Sequence, residues 1–336
     1  MSRRKKIILV VLVMVLISSG YGYYHWRQAA RAKQTIDALA EKFPYMTVKY
    51  AEGTESDGKH SVWFYCTHRV VGLEINGEML RTADIRTMVS VFELRELKCW
   101  WGDIEPDAIM ELETLTQLEV LSLSDVAVEW LSAPPPEPVD PSDPFPTGGK
   151  HLSTDPETRA RYIEDQDLHF LQNLPRLKVL DLSCAKITDQ AAVFMKYLTQ
   201  LEELNLTKTG VGDKGIIAIC KRNPSLRKLM LHEISKGELF DPIVTDDAVR
   251  AIVKLGKLEY LSLSDSLITK ESLFALGEMK SLKHLDVDDC NAITYGDLRE
   301  FIKRRPDIDV RPPDSGKCKD RVFIGQRGFG PSDFKP

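Results

Sequence analysis

The chain lacks any pair of cysteines close enough in sequence to share a metal or exchange a disulfide. Its six cysteines, at positions 66, 99, 184, 220, 290 and 318, lie 28 or more residues apart, which excludes a C-x-x-C zinc or redox site. Their even count permits disulfides in an oxidising compartment, but large cores seldom need staples, so buried free thiols are the favoured reading. The signatures H-E-x-x-H and G-x-S-x-G are missing, as is a phosphate-binding glycine loop, and the seven histidines are scattered. Asp286, Asp288 and Asp297 fall at calcium-loop spacing. That loop would need Gly where Asn291 stands and Glu at its last position. No catalytic residue, cofactor or metal is therefore predicted, and no enzymatic activity is expected.

Extremes of composition are missing too. With 43% hydrophobic and 28% charged residues among 336, neither wholesale disorder nor a multi-span membrane protein fits. The formal charge of -5 conceals an asymmetry. Seven bases and no acid lie in residues 1–33, and five bases against two acids in 317–336, so the middle is strongly acidic. Such a body repels phosphate backbones, and no nucleic-acid partner is expected.

One long apolar run breaks the pattern. Ile7 to Ile17 is unbroken, and Ile7 to Tyr24 carries no formal charge. As a helix it would reach about 27 Å, against roughly 30 Å of bilayer hydrocarbon. Tyr21, Tyr23, Tyr24 and Trp26 follow as interfacial rings, and four bases precede it. Residues 1–26 are therefore predicted to be a signal anchor, with a single transmembrane helix over 7–24. The membrane is then one partner, the amino terminus is cytoplasmic and the body extracytoplasmic. Cleavage and secretion is the alternative, since Ser18 and Gly20 are small residues at suitable spacing.

The body is organised by self-similarity. The pattern L-x-x-L-x-L begins at Val70, Leu94, Leu118, Leu177, Leu201, Leu226, Leu258 and Leu282, mostly 24 or 25 residues apart. Its strongest copies read LKVLDLSCAKITD, LEELNLTKTGVGD, LEYLSLSDSLITK and LKHLDVDDCNAIT. A second signal lies in the other half of each unit. Leu168, Leu171 and Leu174 follow Ile163, and Leu273, Leu276 and Met279 follow Ile268, a three-residue spacing that predicts a helix with one buried stripe. Thr188-Asp189 and Thr245-Asp246 precede such helices as candidate caps. The unit is strand, turn, helix.

Between Val128 and Ile163 stand eight prolines, which predicts an extended surface insertion over 129–162. A shorter one surrounds Ser235 to Pro242. Ala29 to Phe43 reads as an amphipathic helix, and Thr47–Tyr50 with Ser61–Cys66 as a strand pair across Asp57-Gly58. The segment 27–69 is thus expected to cap the first repeat. The repeat domain is placed at 70–316 and a flexible tail at 317–336.

These motifs resemble the leucine-rich repeat family, specifically its helix-bearing ribonuclease-inhibitor-like or cysteine-containing-like subclass. They look closest to membrane-anchored bacterial members whose repeats read L-x-x-L-x-L-S-x-T-x-I-T-D. The resemblance covers about residues 70 to 312. It implies an α/β fold: a horseshoe solenoid with a parallel concave sheet and convex helices, here preceded by the transmembrane helix. It also implies recognition of a protein partner through the concave face. The family's polar turn position holds Thr209, Ser266 and Cys290, but Gly102, Val126 and Ala185 elsewhere.

Strand alternation turns the third, fifth and seventh positions outward. Those columns and their rim supply the candidate partner-binding residues: Lys98, Trp100, Trp101, Glu203, Lys228, Tyr260, Asp286, Asp288 and Asp289. The acids, most concentrated near the last strands, favour a partner with a basic surface. The tryptophans are candidate anchors. The expected function is a membrane-tethered, non-catalytic interaction module. A structural envelope scaffold and an intracellular ubiquitin-ligase substrate adaptor are the alternatives.

Overall fold

The computed structural model of the chain describes residues 20–58, 60–65, 69–77, 79–128, 161–232 and 244–311. Leucines at every third and then second position force the strand half of each unit inward, and these strands line up into one sheet. In chain order they are β1 (Thr47–Tyr50), β2 (Glu55–Ser56), β3 (Val70–Asn76), β4 (Glu96–Trp100), β5 (Val120–Ser124), β6 (Val179–Asp181), β7 (Glu203–Asn205), β8 (Lys228–Met230), β9 (Tyr260–Ser262), β10 (His284–Asp286) and β11 (Asp309–Arg311). From β3 to β11 each strand pairs in parallel with the next. Leu73, Leu97, Leu121, Leu180, Leu204, Leu229, Leu261 and Leu285 form one buried row across this sheet, each 1% exposed or less.

Behind the sheet run short helices whose stripes close the core. Ile109, Leu168, Ile216, Val249 and Leu273 are all buried, as the three-residue spacing predicts. Several of these segments are tight 3-10 turns, including Asp165–Asn173. A helix that need only cross one strand spacing in each unit has no room to lengthen.

The turn between strand and helix repeats its backbone as faithfully as its leucines. At the eighth position of successive units, Gly77, Trp101, Asp125, Cys184, Lys208, Asp265 and Asp289 all have φ between 51° and 76°. Nothing in the hydrophobic pattern announced this left-handed column. It arises because the chain must leave the sheet sharply, and a positive φ achieves that in one residue. The polar turn position is uneven, as expected. Thr209 Oγ1 donates to the Leu206 carbonyl at 2.7 Å, and Cys290 Sγ to Leu263 at 3.2 Å.

At the helix starts the first-turn threonines and aspartates do more than cap. Thr188 and Thr245 each accept the amide two residues on, while the aspartates bridge repeats. Asp165 accepts Thr188 N and Oγ1, Asp213 accepts Thr245 N and Oγ1, and Asp246 accepts Thr269 N and Oγ1, at 2.6–2.9 Å. Ser272 Oγ also donates to Asp246. Partial burial pushes the Asp246 carboxyl up, but these donors together hold it below the ordinary range. A carboxyl depressed by folding contributes stability above its unfolded value and gives it up as pH falls through its folded value. We expect Asp246→Ala to lose about 1–3 kcal/mol at neutral pH, with the difference from wild type shrinking in acid. Urea titrations at the two pH values measure this, and a difference independent of pH would count against the ladder.

The proline-rich insertion leaves the sheet intact, since β5 pairs directly with β6. On its far side Arg161–Tyr162 pairs antiparallel with Ala127–Val128, so residues 161–162 belong to the fold. Residues 129–160 and 233–243 lie outside the described residues, as does the tail from 312 onward.

At the amino end the structure departs from expectation. Residues 20–24, assigned to the end of a membrane span, open the helix Gly20–Lys42. This helix continues through Arg27, Arg31 and Lys33 and buries Ala29, Ile36 and Leu39 in the common core, with Phe43 following just after its end. Among the described residues no helix is long and apolar enough to cross a membrane. That corrects the transmembrane helix expected over 7–24; residues 1–19 lie outside the described residues. β1 pairs antiparallel with both β2 and β3, covering the edge of the first repeat. Val62–Tyr65, expected within a strand, is a helical turn. Its Phe64 stacks on His60 at 3.9 Å and meets Tyr50 edge-on at 5.0 Å, packing that a flat strand pair would not supply.

Candidate binding surface

The outward columns of the sheet are chemically varied where the inward row is uniform. From β4 to β11 the third and fifth positions read Glu96 and Lys98, Val120 and Ser122, Val179 and Asp181, Glu203 and Asn205, Lys228 and Met230, Tyr260 and Ser262, His284 and Asp286, Asp309 and Arg311. No two strands carry the same pair.

Many of the candidate charges are already engaged. Glu96 sits between Lys49 at 2.6 Å and Lys98 at 2.7 Å. Burial pushes its carboxyl up, yet the two lysines hold it below the usual range. Lys228 lies 3.7 Å from Glu203 and over the Tyr260 ring at 5.5 Å. Burial, aided by Asp286, raises the Tyr260 hydroxyl. Asp286 is itself buried; it accepts the Asp288 amide at 3.2 Å and faces Arg311 at 3.7 Å. It therefore organises the turn after β10 rather than presenting a free charge. Asp289 occupies the left-handed position beside it, with Asp288 preceding. The acidic end of the face is thus partly neutralised within the fold.

The tryptophans separate. Trp100 is 39% exposed and lies across the neighbouring strand, its indole N–H donating to Ser122 Oγ at 3.0 Å. Trp101 occupies the left-handed turn and is 73% exposed. They bracket the corner of sheet and rim, whereas Asp286, Asp288 and Asp289 lie six strands away, so the candidates do not form one cluster. Sequence reasoning passed over Asp103 and Asp125, which could have been found from their places at the tenth and eighth positions of their units. Asp181 accepts Ser183 N and Oγ at 2.9 and 2.7 Å.

Metal and thiol chemistry finds no cluster here. Among the described residues no group of three His, Cys, Asp or Glu side chains could hold an ion. Asp297 is turned away from Asp286 to accept Thr294 N and Oγ1 at its own helix start. Cys99, Cys220 and Cys290 carry free thiols. Burial pushes the Cys99 and Cys220 thiols up to about 12, which leaves them protonated and poor nucleophiles. Cys66 and Cys318 lie outside the described residues.

Stacked strand–turn–helix units around a parallel concave sheet define a leucine-rich repeat solenoid. Residues 174–195 and 197–220 match the family described as Leucine Rich repeat. No curated protein matches the chain. Among solved structures it is similar to an internalin C2 from Listeria monocytogenes, with 17% identity, 63% of this chain and 68% of that chain covered, and a TM-score of 0.39. It is also similar to the Rad7 and Elc1 complex in yeast, with 14% identity, 71% of this chain and 62% of that chain covered, and a TM-score of 0.42.

Proposed function

We propose that this chain is a non-catalytic protein–protein interaction module that receives its partner on the concave face of the repeat solenoid. The observation that carries this reading is the contrast between the two sides of one sheet. Inward positions are leucine in strand after strand because packing permits little else. Outward positions differ in every strand, and packing makes no such demand on them. A broad, rigid surface of varied side chains suits recognition of another macromolecule, and the carboxylates Asp103 and Asp125 at its rim favour a partner with a basic surface.

Val179, half-buried in the centre of the face, and Val193, 54% exposed on the convex side, provide the test. A protein captured by the wild-type chain should be lost by Val179→Arg and retained by Val193→Arg, with circular dichroism unchanged in both. Retention by the first variant and loss by the second would place the interface on the helices.

A further inference from the structure

The two rims of the sheet are electrostatically unlike. At the amino ends of the strands charges are paired across repeats: Glu119 with Lys178 at 2.7 Å, and Glu259 with both Arg227 and Lys283. A depression of about 560 Å³ there is bordered by Arg227, Glu259 and Lys283. At the carboxyl ends of β3, β4 and β5 the pattern reverses. Positions seven to ten of these three units hold Asn76, Gly77, Met79, Trp100 to Asp103 and Ser124 to Ala127. Among these described residues there are two carboxylates and no cation. Neither Asp103 nor Asp125 makes an ion pair or side-chain hydrogen bond with a described residue.

Trp101 stands in the middle of this stretch. Parallel register pairs Trp100 with Ser124, and the Trp101 amide donates to the Ser124 carbonyl at 3.2 Å, which makes Trp101 and Asp125 neighbours in the two adjacent turns. On the other side the equivalent residue is Gly77, where an added Cβ would meet nothing within 4 Å. One flank of the Trp101 position is thus open and the other carries a carboxylate, with Asp103 two residues on. Trp100, pinned through its indole N–H, forms the adjoining wall.

The geometry points to this rim as the docking site for a basic segment of the partner protein, an arginine of which stacks on the Trp101 indole and pairs with Asp125 and Asp103. This deepens the concave-face reading and rests on it. An aromatic face attracts a cation through its quadrupole. A planar guanidinium stacks on that face while its N–H groups reach a carboxylate, which a lysine ammonium does less well. A neutral or acidic segment would leave two carboxylates facing it unpaired.

The test uses the full chain and a short fluorescent peptide of alternating arginine and serine, followed by anisotropy, with glutamate-for-arginine and lysine-for-arginine peptides as comparators. Variants are Trp101→Asn, which tolerates the left-handed backbone, and Asp125→Asn; Arg227→Gln on the opposite rim is the control. We expect saturable binding of the arginine peptide that weakens with salt, is weaker for lysine and is absent for glutamate. It should fall roughly tenfold or more in both rim variants and stay unchanged in Arg227→Gln. Equal binding by wild type, Trp101→Asn and Asp125→Asn, comparable binding of the glutamate peptide, or no saturable binding would each overturn the proposal. If the peptide result fails while Val179→Arg still abolishes partner capture, the rim assignment falls and the concave-face reading stands. If Val179→Arg also retains the partner, both fall.

Discussion

Leu204→Ala is expected to remove about 2–5 kcal/mol of stability, seen as a lower urea midpoint with the slope little changed. Leu204 is fully buried on β7, and its backbone pairs with Leu180 on one side and Leu229 on the other. Three carbons, the branch point and its two methyl groups, would vanish from a row in which every neighbour is also a leucine held in place by its own strand. The sheet register stops those neighbours from closing the gap, so the cavity remains. The position also matters because a solenoid is stabilised through contacts between adjacent repeats. A defect at the middle weakens two interfaces, where one at β11 would weaken a single interface. Val193→Ala, on the exposed convex side, should stay within about 0.5 kcal/mol of wild type. Equal effects at the two sites would mean that the leucine row is not the core.

Gly215→Ala should destabilise, although helix propensity alone gives alanine an advantage of about 1 kcal/mol in a helix. Gly215 lies in the first turn of the helix Asp213–Arg222. A Cβ there would stand 2.6 Å from Val211 Cγ1, 2.7 Å from Asp189 Oδ1 and 3.0 Å from the Asp189 Cα. Asp189 Oδ1 is also the acceptor for the Gly212 and Gly215 amides, both at 2.8 Å. The added methyl group must therefore displace the link between two repeats. Overpacking costs about 1–3 kcal/mol, enough to outweigh the propensity gain, and the thermal midpoint should drop. A rise in the midpoint would show that the helix shifts freely, and that the aspartate bridges contribute little.

Gly215 also illustrates what a linear reading misses. In sequence it is a weak helix residue between Lys214 and Ile216. In the fold it is the point where one repeat touches the previous one, 26 residues back. The aspartate bridges were half visible: the Thr-Asp pairs mark helix starts, but the partner of each aspartate is set by the stacking distance. The left-handed column was legible only in retrospect, because Trp101, Cys184, Lys208 and three aspartates share no side-chain chemistry. They share a place at which the chain leaves the sheet. The surroundings of Asp286 were out of reach for a related reason. As a sequence letter it is a charge on an outward column, whereas its actual neighbours are Arg311 and the Asp288 amide.

The amino-terminal misreading has the same origin. Ile7 to Tyr24 has the length and polarity of a membrane span, and local hydropathy is what such a reading weighs. It cannot weigh the helix beginning at Gly20, whose later turns bury Ile36 and Leu39 against the repeats.

The sequence by itself determined the repeating unit, its phase, the inward leucine row and the place of the insertions, because these follow from periodicity and each residue's preference for water or core. The tertiary structure decided which charges pair with one another, where the helix starts are tied together, and which rim carries an exposed indole and two carboxylates with no ion pair among the described residues. Those depend on distances between residues 20 or more positions apart, and stacking the units is what fixes them.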